Sequence, residues 1–164
     1  MTTTTPTTIA DLTYITREDL STRLLSTSTP SPTSSSPIAI IDVRDSDHIG
    51  GHIRGSTWIP SSELDYRIPE LVRELKGKET VVFHCALSQQ RGPSAALRYV
   101  REKERLEGKS EGGKDGDGEK GKEGEQKEQK VLVLDGGFTK WQEKYGEDGR
   151  LTEAYQKDIW EFGY

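Results

Sequence analysis

The chain has 164 residues, with 23 Lys and Arg against 28 Asp and Glu for a net charge of −5, and only 30% of it is hydrophobic. It carries no basic cluster on a segment that reads as structured, so it lacks the electrostatic footprint of a nucleic-acid partner. No apolar run approaches the ~20 residues of a membrane span. Its one cysteine, Cys85, excludes an intramolecular disulfide and a cysteine-rich zinc site.

The polar excess is concentrated in Met1–Thr8, Ser26–Pro37 and Glu107–Lys130. The expected organisation is a disordered start over 1–8 and one domain over 9–164, with low-complexity inserts at 26–37 and 107–130. The Thr-rich start has neither the basic and apolar regions of a secretory signal nor the arginines of a transit peptide, so the expected location is cytoplasmic or nuclear.

Thr16-Arg17-Glu18-Asp19 has the hydroxyl-x-x-acid form of a capping box and predicts a helix to about Leu25, with Leu20 and Leu24 on one face. The stretch 26–37 holds six Ser, three Thr and three Pro, and offers no apolar surface. Ile38–Val43 reads as a strand buried on both faces, as parallel sheets require. Thr57-Trp58-Ile59 is a short strand stopped by Pro60. Ser61 or Ser62 is the expected cap of a helix whose apolar stripe is Leu64, Ile68, Leu71, Val72 and Leu75.

Thr80–His84 is a further buried strand, followed by a helix over Arg91–Leu106 with Ala95, Ala96, Tyr99 and Val100 inward. Residues 107–130, with seven Gly, six Lys, eight acids and no hydrophobic residue, are expected to be a solvated insertion. Lengthening a connection to this extent costs only about 1.2 kcal/mol of closure entropy. Val131–Leu134 returns as a core strand, Phe138, Trp141 and Tyr145 sit at helical spacing, and Leu151, Tyr155, Ile159 and Phe162 suggest a closing helix. Trp58, Trp141 and Trp160 are expected core aromatics. Alternating strands and helices predict an α/β fold with a parallel sheet, whose ligand sits off the carboxyl ends of the strands.

At the carboxyl end of Thr80–His84 stands His84-Cys85-Ala86-Leu87-Ser88-Gln89-Gln90-Arg91-Gly92-Pro93. A loop of this length between a strand and a helix can turn the N–H groups of Ala86, Leu87, Ser88, Gln89, Gln90 and Arg91 into one concavity, an anion nest. The helix beginning near Arg91 adds its positive end, and the Arg91 guanidinium offers a two-pronged contact to a tetrahedral oxyanion. The expected site is locally positive, and its field favours the Cys85 thiolate. Cys85 is then a nucleophile facing bound phosphate or arsenate; the alternative is a small core hydrophobe. No metal and no cofactor is required. His48 and His52 are separated by Gly50-Gly51, which breaks the helix a metal pair would need. Arg44 and His52 read as hydrogen-bonding turn residues more readily than as catalytic ones.

Asp42-Val43-Arg44 with Asp47-His48-Ile49-Gly50-Gly51-His52-Ile53-Arg54-Gly55-Ser56 resembles the amino-terminal signature of the rhodanese superfamily, and Leu134-Asp135-Gly136-Gly137-Phe138 with Trp141 resembles its carboxyl-terminal one. The Cys-x5-Arg loop followed by Gly92-Pro93 is similar to that of the M-phase inducer phosphatases, the related small fungal phosphatases and the fungal arsenate reductases. The resemblance implies a rhodanese-like fold and a phosphatase of tyrosine or dual specificity, with Cys85 as nucleophile and Arg91 as phosphate clamp. The implied substrate is a phosphoprotein or a small phosphate ester. The same thiolate could reduce arsenate with glutathione and glutaredoxin, or the domain could bind phosphate without turnover. The inducer phosphatases carry acids directly after the Cys and before the Arg, where this chain has Ala86 and Gln90. That leaves Asp47, Glu63 and Asp65 as candidate general acids.

Overall fold

A computed structural model of the chain describes residues 8–26, 36–112 and 129–162. The expected disorder over 1–7 and the insert residues 27–35 and 113–128 lie outside the described residues. In chain order the elements are β1 (Thr13–Ile15), α1 (Arg17–Ser26), β2 (Ile38–Asp42), β3 (His52–Ile53), β4 (Thr57–Trp58), α2 (Leu64–Glu74), β5 (Thr80–His84), α3 (Arg91–Gly112), β6 (Lys130–Leu134), α4 (Gly137–Tyr145), β7 (Thr152–Glu153) and α5 (Lys157–Phe162).

Five strands form a sheet in the order β1-β6-β5-β2-β4, with every pairing parallel. Strands β3 and β7 form a separate antiparallel pair. The apolar strand residues alternate between two cores. Ile41, Val81, Phe83 and Val133 meet Leu64, Ile68, Leu71 and Tyr99 of α2 and α3 on one face, whereas Ile40, Val82, Leu132 and Leu134 meet Leu20, Phe138 and Trp141 on the other. A continuous apolar strand is therefore what the sequence must supply, because a strand covered on both faces has no solvent side. The fold is α/β, as the element order predicted.

Helix α1 starts where the capping box placed it, with the Asp19 N–H donating to Thr16 Oγ1 at 3.1 Å. Four expectations change. Ser61 and Ser62 do not cap α2, which begins after a short 3-10 turn over Ser61–Glu63, and the Ser61 hydroxyl instead donates to Asp45 Oδ2 at 2.6 Å. Helix α3 runs past Leu106 to Gly112, because the Arg-, Glu- and Lys-rich turns over 101–107 have good helix propensity and carry the helix into the residues that follow.

The closing helix covers only Lys157–Phe162. Leu151 gives its carbonyl to the Arg54 N–H, Thr152–Glu153 pairs with β3, and Ala154 at φ 57° ends any helical path from Leu151 to Tyr155. Of the three tryptophans only Trp141 is fully buried; Trp160 is partly buried and Trp58 is 48% exposed. Strand β4 lies at the sheet edge, where Trp58 stacks on His48 at 4.3 Å and donates Nε1–H to the Arg44 carbonyl.

Candidate active site

The parallel register brings the loops after β2, β5 and β6 to one end of the sheet. Strand β5 ends at His84, whose Nδ1 lies 3.0 Å from the Cys85 carbonyl, so the proton sits on Nδ1. That carbonyl also accepts the Phe138 N–H at 3.0 Å, and the Ala86 carbonyl accepts the Thr139 N–H at 2.9 Å. With its first two carbonyls fixed on α4, the loop turns its N–H groups toward the sulfur. Ser88, at φ 56°, donates to Cys85 Sγ at 3.2 Å, and Gly92 donates to it at 3.3 Å. Cys85 is 3% exposed. The N–H groups of Ala86, Leu87, Gln89 and Gln90 meet no acceptor among the described residues.

Two glycines make this curl possible. A Cβ on Gly92 would lie 3.2 Å from His84 Cα and 3.3 Å from the Cys85 nitrogen, so a side chain there would crowd the backbone at the end of β5, where the first turn of α3 closes on it. Gly137 has φ +61°, and a Cβ there would lie 2.4 Å from the Ala86 oxygen. Gly137 thus sets the close approach of α4 to the loop.

Arg91 opens α3, and its guanidinium reaches back to the loop after β2. Nη1 donates to Asp47 Oδ1 at 2.8 Å and to Asp45 Oδ2 at 3.3 Å, and Nη2 donates to Asp47 Oδ2 at 2.7 Å. The hydrogen bonds from Arg91 hold the Asp47 carboxyl down at about 2. Burial pushes Asp45 up, but the Ser61 hydroxyl, the Ser62 N–H and Arg91 outweigh it and leave it below the ordinary carboxylate value. Arg91 is raised in turn, chiefly by its bonds to Asp47. One cation with two carboxylates has a formal charge of −1, so the expected local positive charge is corrected: the positive potential that remains comes from the loop N–H groups and the start of α3.

The other acids named from the sequence lie elsewhere in the ion-pair pattern. Glu63 pairs with Arg67 at 3.8 Å, and Asp65 pairs with Arg98. Arg44 is buried against Asp42, and His52 lies 3.1 Å from Glu153 on the β3–β7 pair. Among the described residues no group of three or more His, Cys, Asp or Glu is placed to hold a metal ion. Nor is any described helix long and apolar enough to cross a membrane. Asp45, the Gly92 N–H and the Gly137 turn were not singled out from the sequence. The spacing of Asp45 and Asp47 just after a central strand was the available signal for the first.

A cleft of about 270 Å³ beside Arg91 is lined by Ser61, Gln90, Ser94 and Arg98, whereas a larger cavity of about 590 Å³ lies by Leu24, Ile38 and Arg150 at the start of β2. Volume alone would therefore direct attention away from Cys85.

A parallel sheet with a cysteine loop cradled at the end of its central strand defines the class, and the family model described as a rhodanese-like domain matches residues 30–144. The chain belongs to the rhodanese family. It is 36% identical over 135 residues to the CDC25-like phosphatase YCH1 of Saccharomyces cerevisiae, spanning 76% of this chain and 78% of that protein. It is 42% identical over 106 residues to arsenate reductase 2.2 of Oryza sativa subsp. japonica, spanning 64% and 69%. The crystal structure of Saccharomyces cerevisiae Ygr203w, described as a homolog of single-domain rhodanese and the Cdc25 phosphatase catalytic domain, superposes with a TM-score of 0.68 at 32% identity, covering 96% of this chain and 97% of that one.

Proposed function

We propose that the chain is a cysteine-dependent phosphatase, of protein tyrosine or dual-specificity type, acting on a phosphoprotein or a small phosphate ester. The observation that carries this reading is the convergence of the Ser88 and Gly92 N–H groups on Cys85 Sγ, with Arg91 at the far end of the same loop. Two donors hold the sulfur in place, and the unpaired N–H groups between them suit the equatorial oxygens of a transferring phosphoryl group. Cys85 Sγ attacks phosphorus, the S–P bond forms as the bond to the leaving oxygen breaks, and water then cleaves S–P to release inorganic phosphate. Arg91 and the N–H groups of Ala86, Leu87, Gln89 and Gln90 hold the oxyanion through both steps, while the Ser88 N–H, expected to join them, is directed at the sulfur. The likeness to proteins named CDC25-like phosphatase supports the same reading, and a cytoplasmic or nuclear setting is consistent with it.

The likeness to arsenate reductase 2.2 favours a second activity of the same thiolate. Here Cys85 would add to arsenate with loss of water, and glutathione with glutaredoxin would supply the two electrons, ending as disulfide. With a single cysteine in the chain, the resolving thiol must be external. Purified protein assayed with an aryl phosphate, and with arsenate plus glutathione, separates the two, with Cys85→Ser as control. Aryl phosphate turnover that Cys85→Ser abolishes is the expected result. Turnover that survives the substitution overturns the assignment, and phosphate binding without turnover makes the domain a binding module.

A further inference from the structure

A guanidinium can grip an oxyanion two-handed through either of two edges, the Nη1/Nη2 end or the Nε/Nη2 side. In Arg91 the first edge is taken by the two oxygens of Asp47, and Asp45 shares Nη1. Nε bonds to no described residue. The carboxylates are themselves anchored: the Asp45 N–H donates to Asp47 Oδ1 at 2.9 Å, and Asp45 accepts from the Ser61 hydroxyl at 2.6 Å and the Ser62 N–H at 3.2 Å. A chain of bonds thus runs from the turn before α2, through the loop after β2, to the first residue of α3. An arginine on a partly exposed helix start would otherwise keep its rotamer freedom and lose it only when substrate binds.

We infer that Asp47, backed by Asp45, is the positioning residue of Arg91: it occupies the Nη1/Nη2 edge so that the Nε/Nη2 edge is held, already ordered, for the oxyanion at Cys85. The inference rests on the reading of the Cys85 loop as an oxyanion cradle. It assigns Asp47 a role through Arg91 and removes it from the list of general acids, because a carboxylate that accepts two guanidinium bonds stays ionised while Arg91 holds it. With Glu63 and Asp65 paired elsewhere, the leaving group departs without a proton from any of the three. The substrate class that suits this is an aryl phosphate, whose phenolate leaves readily, in preference to an alkyl phosphate. The charged and titratable groups facing the pair are Asp45 from the loop after β2 and Cys85 from the loop after β5; Ser61 contributes an uncharged hydroxyl to Asp45.

The test uses the full chain as wild type, Asp47→Asn, Asp47→Glu and Asp65→Asn. It measures kcat and KM on aryl phosphates of graded leaving-group acidity, together with calorimetric binding of inorganic tungstate as a turnover-free oxyanion probe. Asp47→Asn should lower kcat/KM by about 10- to 100-fold, the scale of a misplaced contact group, by the same factor for every leaving group, and should weaken tungstate binding. Asp47→Glu should restore part of both, and Asp65→Asn, which removes only the surface pair with Arg98, should match wild type. A loss that grows as the leaving group becomes more basic, with the alkaline limb of the kcat–pH profile gone, makes Asp47 the proton donor and overturns the inference. Unchanged turnover and tungstate affinity also overturn it. If wild type hydrolyses no aryl phosphate, the phosphatase reading fails, yet the tungstate arm still decides: weaker binding by Asp47→Asn supports positioning, and equal or absent binding in both rejects it. Should Asp47→Asn fail to fold by circular dichroism, Asp47→Glu and Asp45→Asn carry the same comparison.

Discussion

Arg44 and Asp42, two residues apart at the end of β2, form an ion pair in which neither side chain reaches solvent, with Arg44 Nη2 2.7 Å from Asp42 Oδ2 and Nε within 3.1 Å of both oxygens. The guanidinium also donates to the Ile49 and Gly51 carbonyls and lies 4.4 Å from the centre of the Phe138 ring. The pair therefore ties the turn carrying Asp45 and Asp47 to the sheet and to α4. Its work is structural, through the turn that carries Asp45 and Asp47.

Replacing Arg44 with Met should strand a buried carboxylate and cost about 3–5 kcal/mol. Urea unfolding followed by circular dichroism measures it. Adding Asp42→Asn should recover part of the loss, since the stranded charge is then gone; an unaltered midpoint in the single variant would refute the role given to the pair.

Stability should fall as the solution is acidified below about pH 6.5. Burial holds the His84 imidazole below its ordinary 6.5, so the unfolded chain takes up the proton first. The stability that His84 contributes is present above 6.5 and is lost as pH drops toward its lower folded value. His48, also lowered by burial, acts in the same window. Asp47, held at about 2 against an ordinary 3.8, adds a separate loss between those two values. Urea midpoints from pH 7.5 to 3 should show both. His84→Asn should flatten the upper slope and leave the lower one, and Asp47→Asn should do the reverse.

Gly137→Ala should disturb the cysteine loop from the neighbouring helix α4. The added methyl would overlap the Cys85 and Ala86 carbonyls, at 2.6 Å and 2.4 Å, in a left-handed backbone conformation that disfavours a side chain. A cost of about 1–3 kcal/mol is typical of such overpacking, and aryl phosphate turnover should fall further than stability does. Wild-type turnover in a folded Gly137→Ala protein would show that α4 does not set the loop.

Gln129, partly buried, is anchored although it lies in the stretch expected to be solvated. Its Nε2 donates to the Leu75 carbonyl at 2.7 Å and the Lys78 carbonyl at 2.9 Å, and its Oε1 accepts the Tyr99 hydroxyl at 2.7 Å. Gln129→Ala removes all three bonds, leaving the Leu75 carbonyl with the Lys78 N–H, and should cost about 1–3 kcal/mol. Urea unfolding of the variant beside wild type measures the loss, and an unchanged midpoint would count against the anchor.

Residue patterns decided a good deal of this protein. Ile38–Val43, Thr80–His84 and Val131–Leu134 read as buried parallel strands because a strand covered on both faces is apolar over most of its length, and that need is written locally. The α2 stripe was legible for the same kind of reason, and so was a cysteine and an arginine separated by five residues between a strand and a helix. Tertiary structure alone decided what Arg91 touches. Asp47 stands 44 residues before it, and the two meet because β2 and β5 are neighbours in the sheet. The same holds for Gln129 beneath Tyr99 and for Gly137 against Ala86, whose contacts depend on strand order and helix approach. Trp58 shows the limit from the other side: its size argued for the core, but an edge strand left it partly in solvent. Local chemistry is set by neighbours in the chain, whereas the charge balance around Cys85 is set by neighbours in space.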